Sequence, residues 1–357
     1  MRSAGLRHVS PFLARLRTKL LGHLNVADIA AEHVELAPST VREQPASISL
    51  PAELDRVFSL QEDTTRENEL ARLRPGLGRH GATMAYRLDN AVLCDGCVYF
   101  HRGHQVLRRG KTRLLPARNA AHLREAQLCT NVVIEKYFGH WIREGLLQEL
   151  LAARRSMPAL AFTRIPWLHE HGYREISKLF PVVASHAHVD KLWLVDDRGL
   201  NDNWVSRYEM LRGLTRLAAA PSGPRRILVR RGVLGASRDL VNEREIETAL
   251  ERLGFESLAP ELETAQGIAS KLAHAEIAVV VEGSAQNHCL MAMPAGSTLL
   301  VIQPPRRFNA VSKTFCSVIG IDWAFVVAED APGGFRLPVD RLFRTIDEID
   351  RVKHLKA

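Results

Sequence analysis

The sequence predicts an α/β protein made of two domains with parallel sheets. The chain has 357 residues, which exceeds one compact domain and is enough to bury two hydrophobic cores. Between residues 226 and 302, short apolar runs alternate with stretches of helical periodicity, as is typical of β-α-β units. Hydrophobic residues make up 46% of the chain and charged residues 25%, so the composition excludes a disordered or fibrous protein.

The N-terminal segment predicts a basic amphipathic helix. Residues 1–24 contain no acidic side chain, and they mix basic with apolar ones: Arg2, Arg7, Arg15, Arg17 and Lys19 with Phe12, Leu13, Leu16, Leu20 and Leu21. Peripheral docking on anionic lipid is one interpretation, packing against the neighbouring domain is another, and an organelle transit peptide is a third. Since no stretch approaches the roughly 20 apolar residues that span a bilayer, we expect a cytoplasmic protein, peripheral to the inner membrane face if the helix docks.

The first half predicts strands followed by helices. Residues 82–107 alternate apolar and polar side chains, with turns at 95–96 and 102–103, which predicts a small β meander. Apolar residues then recur at helical spacing over 137–153, followed by an apolar strand at 159–162 and a helix near 173–179.

The only closely spaced cysteines, Cys94 and Cys97, flank the predicted turn at 95–96. A structural zinc site needs a second such pair, so we expect incidental thiols on a hairpin.

The second half predicts alternating strands and helices. A strand at 226–230 precedes a helix that Asn242 caps, with Glu245 three residues later as in a capping box, and Gly254 ends that helix. Thr264 begins the next helix, which leads into the strand at 277–281. A helix at 288–293 and a strand at 298–302 then repeat the unit, so the strands should be parallel with right-handed crossovers.

One turn in this half predicts a ligand site. Gly283, Ser284 and Ala285 follow the strand at 277–281, where ligands of open α/β sheets bind and where helix N-termini attract phosphate. Small residues also allow close packing at such turns, so the turn alone leaves both interpretations open.

The overall charge also bears on the kind of partner. The net charge of +8 favours an anionic partner, and the aromatic content of 6% disfavours a nucleic-acid binder.

An ordered set of positions resembles glycosyltransferase family 61, a capsular-polysaccharide-type glycosyltransferase domain. In the first half the set comprises Tyr137, His140 and Glu144. In the second half it comprises Arg230, Arg231, Arg238, Asn242, Glu243, Leu250, Gly254, Phe255, Gln266, Ala275, Gly283, Ser284, Ala285, Pro294 and Gly296. The sequence departs from the family pattern at Glu282, where many members have histidine, and at His288, where asparagine is common.

The resemblance implies a GT-B architecture, in which two Rossmann-like domains face each other across a cleft. On this basis residues 1–80 are a variable segment, 81–215 an acceptor-side α/β domain, 216–345 a nucleotide-sugar-binding Rossmann-like domain and 346–357 a C-terminal helix. The implied activity is inverting transfer of a hexose or pentose from a UDP-linked donor to a glycan in surface polysaccharide synthesis, without a metal.

Such a transfer needs groups that stabilise the departing diphosphate and a base that deprotonates the acceptor hydroxyl. For the diphosphate we expect Arg230, Arg231 and Arg238 together with the turn at Gly283 and Ser284. The resemblance adds Asn242 to the donor-binding residues, although helix capping already explains that residue. His288 can contact the diphosphate or the base of the donor, or be an ordinary polar residue at a helix start. His140 and Glu144 lie four residues apart on one predicted helix, so they share a face and can act as base and orienting carboxylate. A core histidine without catalytic function is the alternative for His140.

Two other functional classes stay open at this point. His186, His188 and Asp190 lie on one side of a predicted strand, a pattern from which a metal-dependent hydrolase site can be built. The departures at Glu282 and His288 also allow a non-catalytic glycan-binding protein that keeps the fold.

Overall fold

In a computed structural model of the protein, residues 9–22, 25–101, 103–108, 120–232 and 239–356 are described. The strands, in chain order, are β1 (Glu32–Ala37), β2 (Thr40–Gln44), β3 (Gly76–His80), β4 (Thr83–Cys94), β5 (Cys97–Phe100), β6 (Gly103–Val106), β7 (Ala121–Leu128), β8 (Ala159–Phe162), β9 (Val182–Ala184), β10 (His186–Asp196), β11 (Arg226–Val229), β12 (Glu256–Leu258), β13 (Ile277–Val281), β14 (Thr298–Gln303), β15 (Asp322–Val327), β16 (Glu329–Ala331) and β17 (Gly334–Arg336).

The helices are α1 (Pro11–Leu21), α2 (Val26–Ile29), α3 (Arg66–Leu73), α4 (Val132–Lys136), α5 (Phe138–His140), α6 (Leu146–Arg154), α7 (Glu170–Ser177), α8 (Asp202–Leu217), α9 (Glu243–Glu251), α10 (Ala265–Leu272), α11 (Gln286–Ala292), α12 (Val311–Val318) and α13 (Val339–Lys356). A π-helical segment, Trp141–Gly145, joins α5 to α6. Short 3₁₀ turns lie at Glu53–Arg56 and Pro260–Leu262.

The chain forms two compact units. Unit 1 consists of Met1–Thr40, His80–Trp167 and Lys178–Tyr208. Unit 2 consists of Val41–Arg79, Leu168–Ser177 and Glu209–Ala357. Each unit therefore combines segments that are distant in sequence.

Unit 1 contains a mixed sheet of order β6-β5-β4-β10-β7-β8-β9, and β1 also pairs with β4. The strands β10, β7, β8 and β9 are parallel, whereas β1, β5 and β10 pair antiparallel with β4, and β6 with β5. The predicted meander is confirmed as β4, β5 and β6. The predicted parallel pairing is confirmed in this unit only for β10, β7, β8 and β9. The other strands pair antiparallel, as strands joined by turns as short as those between β4, β5 and β6 must.

Unit 2 contains a fully parallel sheet of order β12-β11-β13-β14-β15. Its central strands β13 and β14 are buried along their whole length, as expected for a parallel sheet covered on both faces. Apolar side chains of α9 and α13, such as Ile246 and Ile346, pack in the same core cluster as Val279 and Leu300 of the sheet. The predicted alternation of strand and helix is confirmed here.

The helix starts in unit 2 are only partly as predicted. Thr264 accepts a hydrogen bond from the Gly267 N–H at 3.0 Å, so it caps α10 as expected. Asn242 precedes α9, but its side chain makes no capping hydrogen bond to that helix. Its amide instead pairs with the backbone of Leu337, and it donates to the Glu245 carboxylate at 3.1 Å. The predicted capping box is therefore wrong, because a backbone partner from a distant segment takes up the side chain.

Candidate functional site

The strand order of unit 2 places a topological switch point between β11 and β13. From β11 the chain runs outward to β12 on one side, whereas β13, β14 and β15 follow on the other. In doubly wound sheets of this order, the connections leave the two strands in opposite directions and open a crevice at their carboxyl ends, where ligands bind. The residues at this crevice are Arg230, Arg231 and Gly232 after β11, and Glu282, Gly283 and Ser284 after β13.

The turn after β13 has a backbone conformation that favours glycine. Gly283 has φ 151°, a region that residues with a Cβ seldom occupy. The N–H groups of Gln286, Asn287 and His288 bond to carbonyls of the turn itself. The backbone donors that remain as candidates for a phosphate group are therefore those of Gly283, Ser284 and Ala285, at the start of the turn.

Glu282 is buried and forms an ion pair with Arg307, whose guanidinium lies 2.9 Å from the carboxylate. Arg307 follows β14, so it belongs to the same carboxyl edge of the sheet as Glu282. A carboxylate beside a phosphate site would repel the ligand, but its pairing with an arginine offsets the charge. Sequence reasoning treated Glu282 as a departure from the family pattern and did not identify Arg307, although its position just after a predicted strand was readable.

The arginines after β11 have carboxylate neighbours. The Arg230 guanidinium lies 3.8 Å from Glu247 and remains about 40% exposed. The Arg231 N–H donates to the Glu243 carboxylate at 2.6 Å, so Glu243 holds the backbone where β11 ends. Arg238, the third predicted donor-binding arginine, lies outside the described residues. The ion pair with Glu247 compensates part of the Arg230 charge, and the bond to Glu243 fixes the Arg231 backbone at the crevice.

Asn242 and His288 are both buried and engaged with protein partners. Both ends of the Asn242 amide are bonded to Leu337, which accounts for this residue without a ligand. The His288 Nδ1 lies 2.7 Å from the Tyr173 hydroxyl, and the His169 ring meets the imidazole edge-on. Burial, together with the neighbouring His169, lowers the pKa of His288 to about 3. At neutral pH His288 is therefore uncharged and cannot offer a cation to a diphosphate.

Gln286 is a residue that sequence reasoning missed. It lies three positions after Gly283, is only 5% exposed, and its side-chain oxygen has no hydrogen-bond partner among the described residues. A buried amide oxygen without a partner costs free energy, so it is a candidate acceptor for a ligand hydroxyl or N–H group. The predicted helix began at residue 288, so neither the position of Gln286 at the start of α11 nor its burial was predicted.

In unit 1 the structure brings His140 and Glu144 together. The His140 Nδ1 and the Glu144 Oε1 are 2.8 Å apart, and Arg143 donates to the same carboxylate at 2.8 Å. Burial alone would raise the pKa of Glu144, but the hydrogen bonds and charges of His140 and Arg143 lower it to about 2. An ionised carboxylate only accepts hydrogen bonds, so the proton of the neutral His140 ring lies on Nδ1 and Nε2 carries the lone pair.

The local backbone also distinguishes this pair. Residues Trp141–Gly145, which include Glu144, are π-helical within an otherwise α-helical stretch. Such insertions are rare in proteins and occur frequently at functional sites. His140 is about 34% exposed, so its ring is not a fully buried core side chain.

The metal set His186, His188 and Asp190 is not formed. Asp190 instead pairs with His122 at 2.9 Å, and His186 lies 3.2 Å from Asp95. Among the residues that the structure describes, the one group of three potential metal ligands is Cys94, Asp95 and His186. The prediction grouped residues along one strand, whereas pairing between strands determines which side chains meet.

Comparison with known proteins adds one match. Residues 138–300 match the sequence model of a family described as Glycosyltransferase 61. The matched segment contains each of the residues predicted above for the base and for donor binding. No curated protein gives a significant match to the chain.

Proposed function

We propose that this chain acts as a glycosyltransferase of family 61, whose sequence model residues 138–300 match, and that it transfers a hexose or pentose from a nucleotide sugar to a glycan acceptor. The proposed donor is UDP-linked, the reaction inverts the anomeric carbon without a metal, and the product belongs to surface polysaccharide. The GT-B architecture implied by the sequence resemblance is part of the same proposal. The main structural support for this proposed activity is the switch point of the parallel sheet in unit 2.

The donor pyrophosphate is proposed to bind at the carboxyl ends of β11 and β13. Backbone N–H groups of Gly283, Ser284 and Ala285 can donate to phosphate oxygens, and the guanidinium groups of Arg230 and Arg231 supply positive charge. Since the sugar–phosphate bond breaks with its electron pair moving to the diphosphate, donors aimed at those oxygens lower the barrier. Arg238 is proposed as a further cation at this site.

His140 is proposed as the general base. Its Nε2 takes the proton of the acceptor hydroxyl while the acceptor oxygen forms the new bond to the anomeric carbon. Glu144 accepts from Nδ1–H, fixes the tautomer and stabilises the imidazolium that results. His288 is proposed to have a structural role. It is neutral and buried, and its hydrogen bond with Tyr173 positions the start of α11.

A thermal-shift screen with nucleotides tests the donor site. UDP at 100 times its dissociation constant should add about 2.7 kcal/mol of stability, and Arg238→Ala should abolish the shift. Arg225→Ala is the matched control, because Arg225 precedes β11 at the opposite end of the strand and pairs with Glu276. A shift that persists in Arg238→Ala would remove this arginine from the site, and no shift with any nucleoside diphosphate would reject the donor proposal.

The exposed face of α1 supports peripheral membrane docking as a further part of the proposal. The helix packs Ala14 and Thr18 against β5 and β6 of the same unit. At about 100° per residue, the opposite face carries large apolar side chains that are 42–72% exposed: Phe12, Leu13, Leu16 and Leu20. Arg17 and Lys19 flank this face, an arrangement typical of helices that bind anionic lipid.

No helix in the described part of the chain has the length and apolarity needed to cross a bilayer. The proposed location is the cytoplasmic face of a membrane.

Vesicle flotation tests this docking. The protein should float with vesicles rich in phosphatidylglycerol and not with phosphatidylcholine alone, and Leu16→Glu should abolish the binding. Leu217→Glu is the control, because Leu217 is 83% exposed on a different helix. Equal flotation of wild type and Leu16→Glu would contradict the proposal.

A further inference from the structure

A thiol, a carboxylate and an imidazole meet at one end of the sheet in unit 1. Cys94 ends β4, Asp95 begins the turn to β5, and His186 begins β10. In the antiparallel pairing of β10 with β4, His186 lies directly opposite Cys94. Directly opposed residues point to the same face of a sheet, so the pairing itself brings the imidazole beside the thiol.

The turn holds the carboxylate against the same strand. Asp95 has φ 44° and Gly96 has φ 80°, the left-handed pair of conformations typical of a two-residue hairpin turn. The Asp95 N–H donates to the Ser185 carbonyl at 3.2 Å. This bond fixes the turn next to the residue that precedes His186, and the Asp95 Oδ1 lies 3.2 Å from the His186 Nε2.

The spacing of the three groups matches the needs of a metal ion. One ligand atom of each residue lies within 4.8 Å of the other two. Around tetrahedral zinc, ligand atoms at bond lengths of about 2.0–2.3 Å are separated by about 3.5 Å. Cys94 is fully buried, while Asp95 and His186 are partly exposed. The His186 Nε2 atom itself is buried and has no hydrogen-bond partner among the described residues, so a metal ion would satisfy it.

We propose that Cys94 Sγ, Asp95 carboxylate and His186 Nε2 bind one Zn²⁺ ion, with water as the fourth ligand. A mixed sulfur, nitrogen and oxygen set selects zinc over magnesium or calcium, which prefer oxygen ligands alone. On binding, a Zn–S bond replaces the thiol S–H bond and the proton passes to solvent. The ion then links β10 to the hairpin of β4 and β5.

Cys97 lies outside the ligand set. Cys97 lies opposite Cys94 in the register of the hairpin, and both are free thiols. The Cys97 Sγ accepts a hydrogen bond from the Arg15 guanidinium at 4.0 Å. The same guanidinium lies over the Tyr99 ring. A cation beside this thiol opposes a second cation at the same sulfur. Cys97→Ser is therefore a matched control for Cys94→Ser on the same hairpin.

Zinc titration of the chelator-treated, reduced full chain tests the site. Wild type should bind one zinc per chain by elemental analysis after gel filtration, and Co²⁺ should give a thiolate charge-transfer band. Cys94→Ser, His186→Gln and Asp95→Asn should each lose at least tenfold in zinc affinity. Asparagine tolerates the positive φ at position 95, so Asp95→Asn reports on the ligand even if another variant fails to fold.

Cys97→Ser and His188→Gln should keep wild-type zinc affinity. Absence of bound zinc in the wild type, or a cobalt complex without the thiolate band, would overturn the proposal. So would loss of binding in Cys97→Ser together with full binding in Asp95→Asn, because the ligands would then be two thiols. These readouts are independent of glycosyl transfer.

Discussion

His140 and Glu144 form a contact whose chemistry can be tested apart from donor binding. His140→Ala should lower the rate of sugar transfer by about 10²–10⁴-fold and leave the affinity for the nucleotide unchanged. Glu144→Gln should lower the rate less, because an amide can still accept from Nδ1–H but cannot stabilise an imidazolium. Transfer assays with the same donor, together with calorimetric titration of nucleotide, check both effects.

The control for this pair is His122→Ala. His122 pairs with Asp190 at 2.9 Å, so it is also a histidine bonded to a carboxylate in unit 1. Its loss should leave transfer unchanged. Full activity in His140→Ala would show that another residue is the base.

His288 should make the protein sensitive to acid. Its folded-state pKa of about 3 is below the 6.5 of an unperturbed histidine, so the unfolded chain takes up the proton first as pH falls. Stability therefore rises with pH between about 3 and 6.5, and at pH 5 this histidine costs about 2 kcal/mol relative to pH 7.5.

His288→Asn should flatten that dependence, because asparagine does not titrate. Urea unfolding at pH 5 and pH 7.5 measures it, and the difference between the two pH values should shrink by about 2 kcal/mol in the variant. His169 and Tyr173, which contact the ring, stay in place in both proteins. An unchanged difference would show that His288 is not the titrating group.

At the residue scale, the spacing of residues in the sequence predicted which side chains meet within one helix. It did not predict which side chains meet across neighbouring strands. The four-residue interval between His140 and Glu144 was sufficient to bring them together, since helical geometry is local. The burial of His288 and the pairing of His186 with Asp95 depend on segments distant in sequence, such as the one containing Tyr173. No periodicity in the sequence reports on those neighbours.

The turn between β13 and α11 should not tolerate a side chain at Gly283. Its φ of 151° is strained for alanine, so Gly283→Ala should lower the free energy of unfolding by about 1–3 kcal/mol and weaken nucleotide binding. Urea denaturation and calorimetric titration check the two effects.

Gly213→Ala supplies the contrast. Gly213 lies inside α8, and a Cβ there meets no atom within 4 Å. Alanine should stabilise the protein by about 0.5–1 kcal/mol at such a helical position. Equal effects of the two substitutions would show that the Gly283 turn has no special backbone requirement.

At the element scale, the parallel strands and the helices between them were predictable because period and length are encoded locally. Thr264 caps α10 as its sequence position predicts, since its partner is three residues away. Asn242 does not cap α9, since the Leu337 backbone competes for its amide. The π-helical segment around Glu144 has no sequence signal, because it differs from an α-helix by a single inserted residue.

At the scale of the whole molecule, the sequence predicted the α/β class. It did not predict the order and direction of the strands in each sheet. The order of strands in unit 2 places the predicted turn at a switch point, which adds a geometric reason for ligand binding that the motif lacked. The mixed sheet of unit 1 arises from tight hairpins beside parallel crossovers. Each unit also takes in segments from far along the chain, which periodicity does not reveal.

The central claim is that the carboxyl ends of β11 and β13 hold the pyrophosphate of the donor. A crystal structure of the protein with UDP tests it most directly. We predict the two phosphates against the backbone of Gly283 and Ser284, with Arg230 or Arg231 in contact with them. UDP bound elsewhere, with that turn free of ligand, would contradict the claim.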